Sequence, residues 1–85
     1  MTGRRSVPAQ TVSAQRETLD RDHDVLIYPV NKLRANRFRC QVLVIRSNGE
    51  WTQSTFLGDG KTEYQAREAA LAKARQAIRS GKVVY

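Results

Sequence analysis

Eighty-five residues, of which 40% are hydrophobic, allow one folded domain with a modest core and exclude a multidomain enzyme with a built-in cofactor fold. Fifteen Lys and Arg against eight Asp and Glu leave a formal charge of +7. The apolar run Val42-Leu43-Val44-Ile45 falls far short of the roughly 20 residues that a membrane-crossing helix needs.

Residues 1–23 are dominated by Thr, Ser, Gln, Arg and Pro, and after Met1 their only sizeable aliphatics are Val7, Val12 and Leu19. Such a stretch buries too little apolar surface to offset the entropy of ordering it, and it reads as a disordered arm. A short helix over residues 14–20, capped by Ser13, is the alternative. Arg4 and Arg5 are not followed by the apolar segment of a secretory signal, and Cys40 is the only cysteine, so the expected compartment is the cytoplasm.

From Asp24 onward the pattern becomes one of strands. Val25-Leu26-Ile27-Tyr28 followed by Pro29-Val30 reads as a first strand, with the proline suited to an edge or a strand end. Residues 31–37 form a basic connection. Residues 38–46 alternate, with Cys40 as a buried, inert thiol. Asn48-Gly49 signals a hairpin, because a type I′ turn requires positive φ at both central residues. Residues 51–57 return as a third strand, rich in Thr and aromatics.

A two-residue turn sets Arg46 opposite Trp51, Val44 opposite Gln53, Val42 opposite Thr55 and Cys40 opposite Leu57. One face then carries Phe38, Cys40, Val42, Val44, Trp51 and Leu57. The other carries Arg39, Gln41, Leu43, Ile45, Thr52, Ser54 and Phe56. A slip of one residue would exchange the partners between faces.

Gly58-Asp59-Gly60 ends the strand, and the remainder predicts a helix. Thr62 with Gln65 three residues on makes a capping box, Glu63 and Glu68 sit near the positive end, Arg79 and Lys82 near the negative end, and Gly81 supplies the stop. Ala66, Ala70, Leu71, Ala74, Ala77 and Ile78 share one stripe. The expected fold is therefore α+β: a three-stranded antiparallel sheet with one C-terminal helix packed on one face (βββα). The expected domain spans residues 24–82, followed by a tail at 83–85.

The charge is localised. Residues 1–24 hold four Arg and four carboxylates, so the remaining eleven cations and four carboxylates carry the whole excess. Lys32, Arg34, Arg37 and Arg39 fall within eight residues with no acid among them. This cluster reads either as the electrostatic footprint of a polyanion or as a solvated loop that keeps a small domain dispersed, whereas Lys73, Arg75, Arg79 and Lys82 along the helix are ordinary for a solvated face.

Residues 38–78 resemble the C-terminal half of a double-stranded RNA-binding domain. That half runs strand, turn, strand, then a Gly-x-Gly leading into an Ala-rich helix. Gly58, Gly60, Thr62, Ala66, Arg67, Ala70 and Ala74 stand in matching places, about half the chain. The resemblance implies the strand-strand-helix unit and basic residues gripping phosphate at the helix start. Glu63 and Tyr64 replace two of those cations, leaving Arg67, and the family's first helix has no counterpart. The architecture is also similar to the three-stranded DNA-binding domains of plant ethylene-response factors and to integrase N-terminal regions, which lay an open sheet face in the major groove, and to small bacterial strand-strand-helix proteins.

Catalytic and metal motifs are weak. His23 lies between Asp22 and Asp24 without convergent partners. Asp20, Asp22 and Asp24 alternate like part of a calcium loop but lack its Gly and closing Glu. Gly60-Lys61-Thr62 resembles the end of a P-loop, but Thr55 stands where its first glycine is needed.

The expectation is a non-enzymatic protein with no cofactor, no metal, no small-molecule substrate and no membrane. It would bind DNA or RNA through Lys32, Arg34, Arg37 and Arg39, with Arg46 and Trp51 contributing. The alternative is a homodimeric protein-interaction module using Leu43, Ile45 and Phe56 on the sheet face left uncovered by the helix, which the arm or the tail would otherwise cover.

Overall fold

The computed structural model describes residues 14–53 and 55–85. Its elements are β1 (Gln15–Asp20), β2 (His23–Ile27), β3 (Asn31–Arg34), β4 (Arg37–Arg46), β5 (Phe56–Gly60) and α1 (Glu63–Ser80). The class is α+β, an antiparallel sheet with one C-terminal helix, but the sheet has five strands rather than three.

The ten residues of β4 form the spine. On one edge β4 pairs with β2 (Val42 opposite Ile27) and then with β3 (Phe38 opposite Lys32). On the other edge it pairs with β5, Val42 opposite Phe56 and Phe38 opposite Gly60. Thus β3 prolongs β2 along the same edge. The break between them falls at Pro29, which lacks an N–H for the ladder, and Tyr28 N–H still donates to Gln41 O at 3.0 Å.

Two of the extra strands correct the sequence reading. Gln15–Asp20, expected within a disordered arm or a short helix, is β1, paired with β2 from Gln15 opposite Ile27 onward. Its ordering comes from tertiary partners: Leu19 packs against the core, and Glu17 forms an ion pair with Arg67 of α1. The basic connection contains β3, which folds against β4 through the two-residue turn Ala35-Asn36, with Asn36 at φ 61°. Asn tolerates that left-handed conformation better than most residues. Residues 1–13 of the expected arm lie outside the described residues, as does Ser54.

The hairpin after β4 departs from the expected two-residue turn. Arg46 N–H donates to Glu50 O at 2.7 Å and Gly49 N–H to Arg46 O at 2.9 Å, so the loop holds three residues. Among them Gly49 alone has positive φ, 92°, which is the pattern of a type I turn followed by a glycine in the left-handed region. Asn48 Oδ1 accepts from Glu50 N–H at 3.0 Å and reinforces the turn.

The change of loop shifts the register. Trp51 bridges Ile45 instead of facing Arg46, and two surplus residues lie between that bridge and the pairing of Phe56 with Val42. Thr52 is buried in the irregular stretch; its N–H donates to Val44 O at 2.9 Å and its Oγ1 accepts from Val44 N–H at 3.3 Å. Trp51 and Phe56 consequently exchange faces relative to the expectation: Phe56 packs on the helix side and Trp51 on the far side.

The helix side is the main core, formed by Val25, Ile27, Cys40, Val42 and Val44 against Ala66, Ala70, Leu71 and Ala74. Gly58 and Gly60 make the close approach possible, since a Cβ on Gly58 would lie 2.1 Å from Ala70 N and one on Gly60 2.6 Å from Ala66 N. Helix capping follows the sequence at Thr62, whose Oγ1 accepts from Gln65 N–H at 3.1 Å, and at Gly81, which closes the C-terminus in the left-handed conformation; the reciprocal bond of the capping box is displaced by one residue, Gln65 Oε1 accepting from Lys61 N–H at 3.0 Å. The far side has a smaller cluster of Leu26, Leu43 and Ile45, packed beneath Ala14, Tyr28 and Trp51.

Candidate nucleic-acid interface

The β3 to β4 hairpin gathers the cations. Every residue from 31 to 37 is exposed, and Arg34 stands directly opposite Arg37 in the ladder, while a register shift after Lys32 sets Lys32 opposite Phe38, toward the helix side of the sheet. Like charges facing each other across antiparallel strands destabilise the pairing. Among the described residues, none of Lys32, Arg34 and Arg37 makes an ion pair that would relieve the repulsion. The hairpin tip is therefore a concentration of positive charge, which only Arg37 shares at a distance with Asp59.

Arg39, the fourth member of the sequence cluster, is in a different state. Its Nε donates to Asp59 Oδ1 at 2.8 Å and its Nη2 to Asp59 Oδ2 at 3.1 Å, a two-pronged pair across β4 and β5. The guanidinium holds the Asp59 carboxyl below its usual range, and the carboxylate raises the basicity of Arg39 in return. Arg39 is thus largely neutralised at the base of the hairpin.

Arg46 is not part of this group. Seven residues of extended β4 put it about 23 Å from Arg39. There it pairs with Glu50 Oε1 at 3.2 Å and lies 4.7 Å over the ring of Tyr85. The C-terminal tail is held nearby, where Gln53 N–H donates to Val84 O at 2.9 Å and Gln53 Nε2 to Tyr85 O at 3.1 Å.

The far face of the sheet carries an open groove of about 440 Å³. Gln41 and Leu43 of β4 form its floor; Tyr28, Pro29 and Asn31 line one side and Trp51, Thr52, Gln53 and Thr55 the other. Asn31 begins β3, so the groove opens at the base of the basic hairpin. Burial pushes the Tyr28 hydroxyl up from its ordinary value. The groove was not legible in the sequence, because the register that brings Trp51 to this face depends on the three-residue loop.

The apolar interaction face expected from Leu43, Ile45 and Phe56 does not form. Leu43 and Ile45 are 4% and 3% exposed, and Phe56 lies on the opposite side of the sheet. Arg67, the cation that the resemblance places at the phosphate-gripping helix start, is bound to Glu17 instead. Cys40 is buried, which raises its thiol pKa against a smaller opposing effect of Arg67.

The carboxylates around His23 take structural partners. Asp20 Oδ1 lies 2.8 Å from His23 Nδ1 and accepts Asp22 N–H at 2.9 Å, while Asp24 pairs with Arg16 at 2.9 Å. The hydrogen bond with His23 is the main cause that lowers the Asp20 carboxyl pKa. Among the described residues, no three His, Cys, Asp or Glu side chains converge as a metal site would need, and no helix is long and apolar enough to cross a membrane. Compared with protein-family models, with curated proteins and with solved structures, the chain matches none.

Proposed function

We propose that this protein binds nucleic acid, with Lys32, Arg34 and Arg37 of the β3 to β4 hairpin as its principal phosphate contacts. The observation that carries this reading is the register pair of Arg34 and Arg37 at the tip of an exposed hairpin. Opposing two arginines there costs the fold stability, and a phosphate between them turns repulsion into two charge-assisted hydrogen bonds. Lys32, on the other face of the same hairpin, lets a polyanion that wraps the hairpin engage a further phosphate.

Arg39 contributes less in this reading, since its charge is already shared with Asp59, and Arg46 stands outside the site. No catalytic step is assigned. Binding of this kind is driven by counterion release and weakens steeply as salt rises. The test is a titration with fluorescent oligonucleotides at several salt concentrations, comparing the wild type with Lys32, Arg34 and Arg37 all changed to Gln. Binding that falls with salt and is lost in the triple variant supports the reading. Absence of binding to any nucleic acid, or equal binding by the variant, overturns it.

A further inference from the structure

We infer that the ligand is a single strand of nucleic acid, with its unpaired bases lodged in the groove between Tyr28 and Trp51. This rests on the nucleic-acid reading above and deepens it. The groove and the hairpin are continuous through Asn31, so a strand whose phosphates meet Arg34 and Arg37 has its next bases over the sheet face.

The lining suits bases and not their paired form. Tyr28 and Trp51 are half-buried aromatics on opposite sides of the groove, and the Tyr28 ring is the surface on which a flat heterocycle would stack. Leu43 supplies an apolar floor. Beside it the half-buried Gln41, and at the rim Asn31, carry side-chain amides that have no hydrogen-bond partner among the described residues. An amide presents both a donor and an acceptor, which is what the edge of an unpaired base requires. In a duplex the base faces are stacked inside the helix and closed to side-chain rings, so only an unpaired strand can use this lining.

The cavity volume of about 440 Å³ falls within the roughly 300 to 1,000 Å³ of ordinary ligand clefts. Base stacking on an aromatic side chain is tolerant of sequence, because every base has a π face. Modest preference among sequences, with strong preference for single over double strands, is the expected behaviour.

Trp51 is the only tryptophan, so the emission of the intact protein reports on the groove directly. The protein is titrated near 0.1 M salt with oligo(dT) and with oligo(U) of about 12 nucleotides, and with the same strands annealed to their complements. Saturable quenching by oligo(dT), oligo(U) or both, absent with the duplexes, is the expected result; the two strands distinguish DNA from RNA. Tyr28→Leu, which keeps apolar bulk over Leu43 but removes the ring, weakens single-strand binding by about 5- to 150-fold. Gln41→Ala, tested alongside, weakens it by about 5-fold.

Duplex binding as tight as single-strand binding overturns the inference, as does single-strand binding without quenching or at wild-type affinity in both variants. In those cases the hairpin reading survives. Failure of every oligonucleotide to bind overturns both.

Discussion

Arg39 and Asp59 face each other across β4 and β5 and share two hydrogen bonds, of 2.8 and 3.1 Å, at the base of a hairpin whose other three cations have no carboxylate partner among the described residues. The pair divides a uniform-looking basic cluster into one neutralised member and three available ones. Asp59→Asn releases Arg39 and removes a negative charge from the site. The variant is expected to bind oligonucleotides more tightly than the wild type, with a salt dependence steeper by roughly one unit of log–log slope. Weaker binding by this variant would contradict the assignment.

Changing Lys32, Arg34 and Arg37 to Gln has the opposite effect. With a slope of about −0.7 per phosphate neutralised on single strands, loss of three contacts reduces the slope by about 2 units. Because Arg34 and Arg37 repel each other, the same variant is expected to melt at or slightly above the wild-type temperature. Thermal unfolding followed by circular dichroism checks this, and a marked fall in melting temperature would mean that these cations hold the fold together.

The pairs formed by Asp59 and Asp20 also make stability depend on pH. Both carboxyls are lowered in the fold, by Arg39 and His23 respectively. Their contributions are present above the unfolded aspartate value of about 3.9 and are lost as pH falls through the lower folded values. Urea midpoints measured from pH 6 down to pH 2.5 are expected to decrease in the wild type. The decrease should be smaller in Asp59→Asn, and an identical pH profile in that variant would refute the contribution.

Gly58 is the point where sheet and helix meet most closely. A methyl group there would lie 2.1 Å from Ala70 N and 2.5 Å from Ala66 O, both backbone atoms that cannot turn aside. Gly58→Ala is expected to cost about 3 kcal/mol through forced separation of α1 from β5, measured by denaturant unfolding. A variant of wild-type stability would show that the helix sits farther from the sheet.

β1 depends on α1 for its place. Glu17→Gln leaves Arg67, whose Nε is already buried without a hydrogen bond, lacking its charged partner. The expected loss is about 1 kcal/mol, because both side chains remain partly in water. Amide exchange in β1 should accelerate more than in β4, and uniform exchange rates would argue against the coupling.

Much of this fold was legible because its signals are local. The alternation from Phe38 to Val44, the cap at Thr62, the alanine stripe and the Gly81 stop each depend on neighbours a few residues away. What escaped depends on distant partners. The segment holding β1 offers only Leu19 as a large aliphatic, and it is ordered by β2 and by Arg67, fifty residues on from Glu17. Trp51 and Phe56 fall on the faces opposite to those a two-residue turn implies, because Asn48-Gly49 fits both a two-residue and a three-residue loop, and the longer one forms. At the site, the run of Lys32, Arg34, Arg37 and Arg39 was visible as composition. That Arg39 is neutralised, Arg46 is remote and Tyr28 shares a groove with Trp51 follows only from the pairing of strands.

The most direct test of the nucleic-acid assignment is a chemical-shift map of the isotopically labelled protein titrated with oligo(dT) and oligo(U) near 0.15 M salt. Progressive shifts are expected in the β3 to β4 hairpin from Asn31 through Arg37 and around Tyr28, Gln41 and Trp51, with α1 unmoved. Shifts confined to α1, or none with either strand, would contradict the assignment.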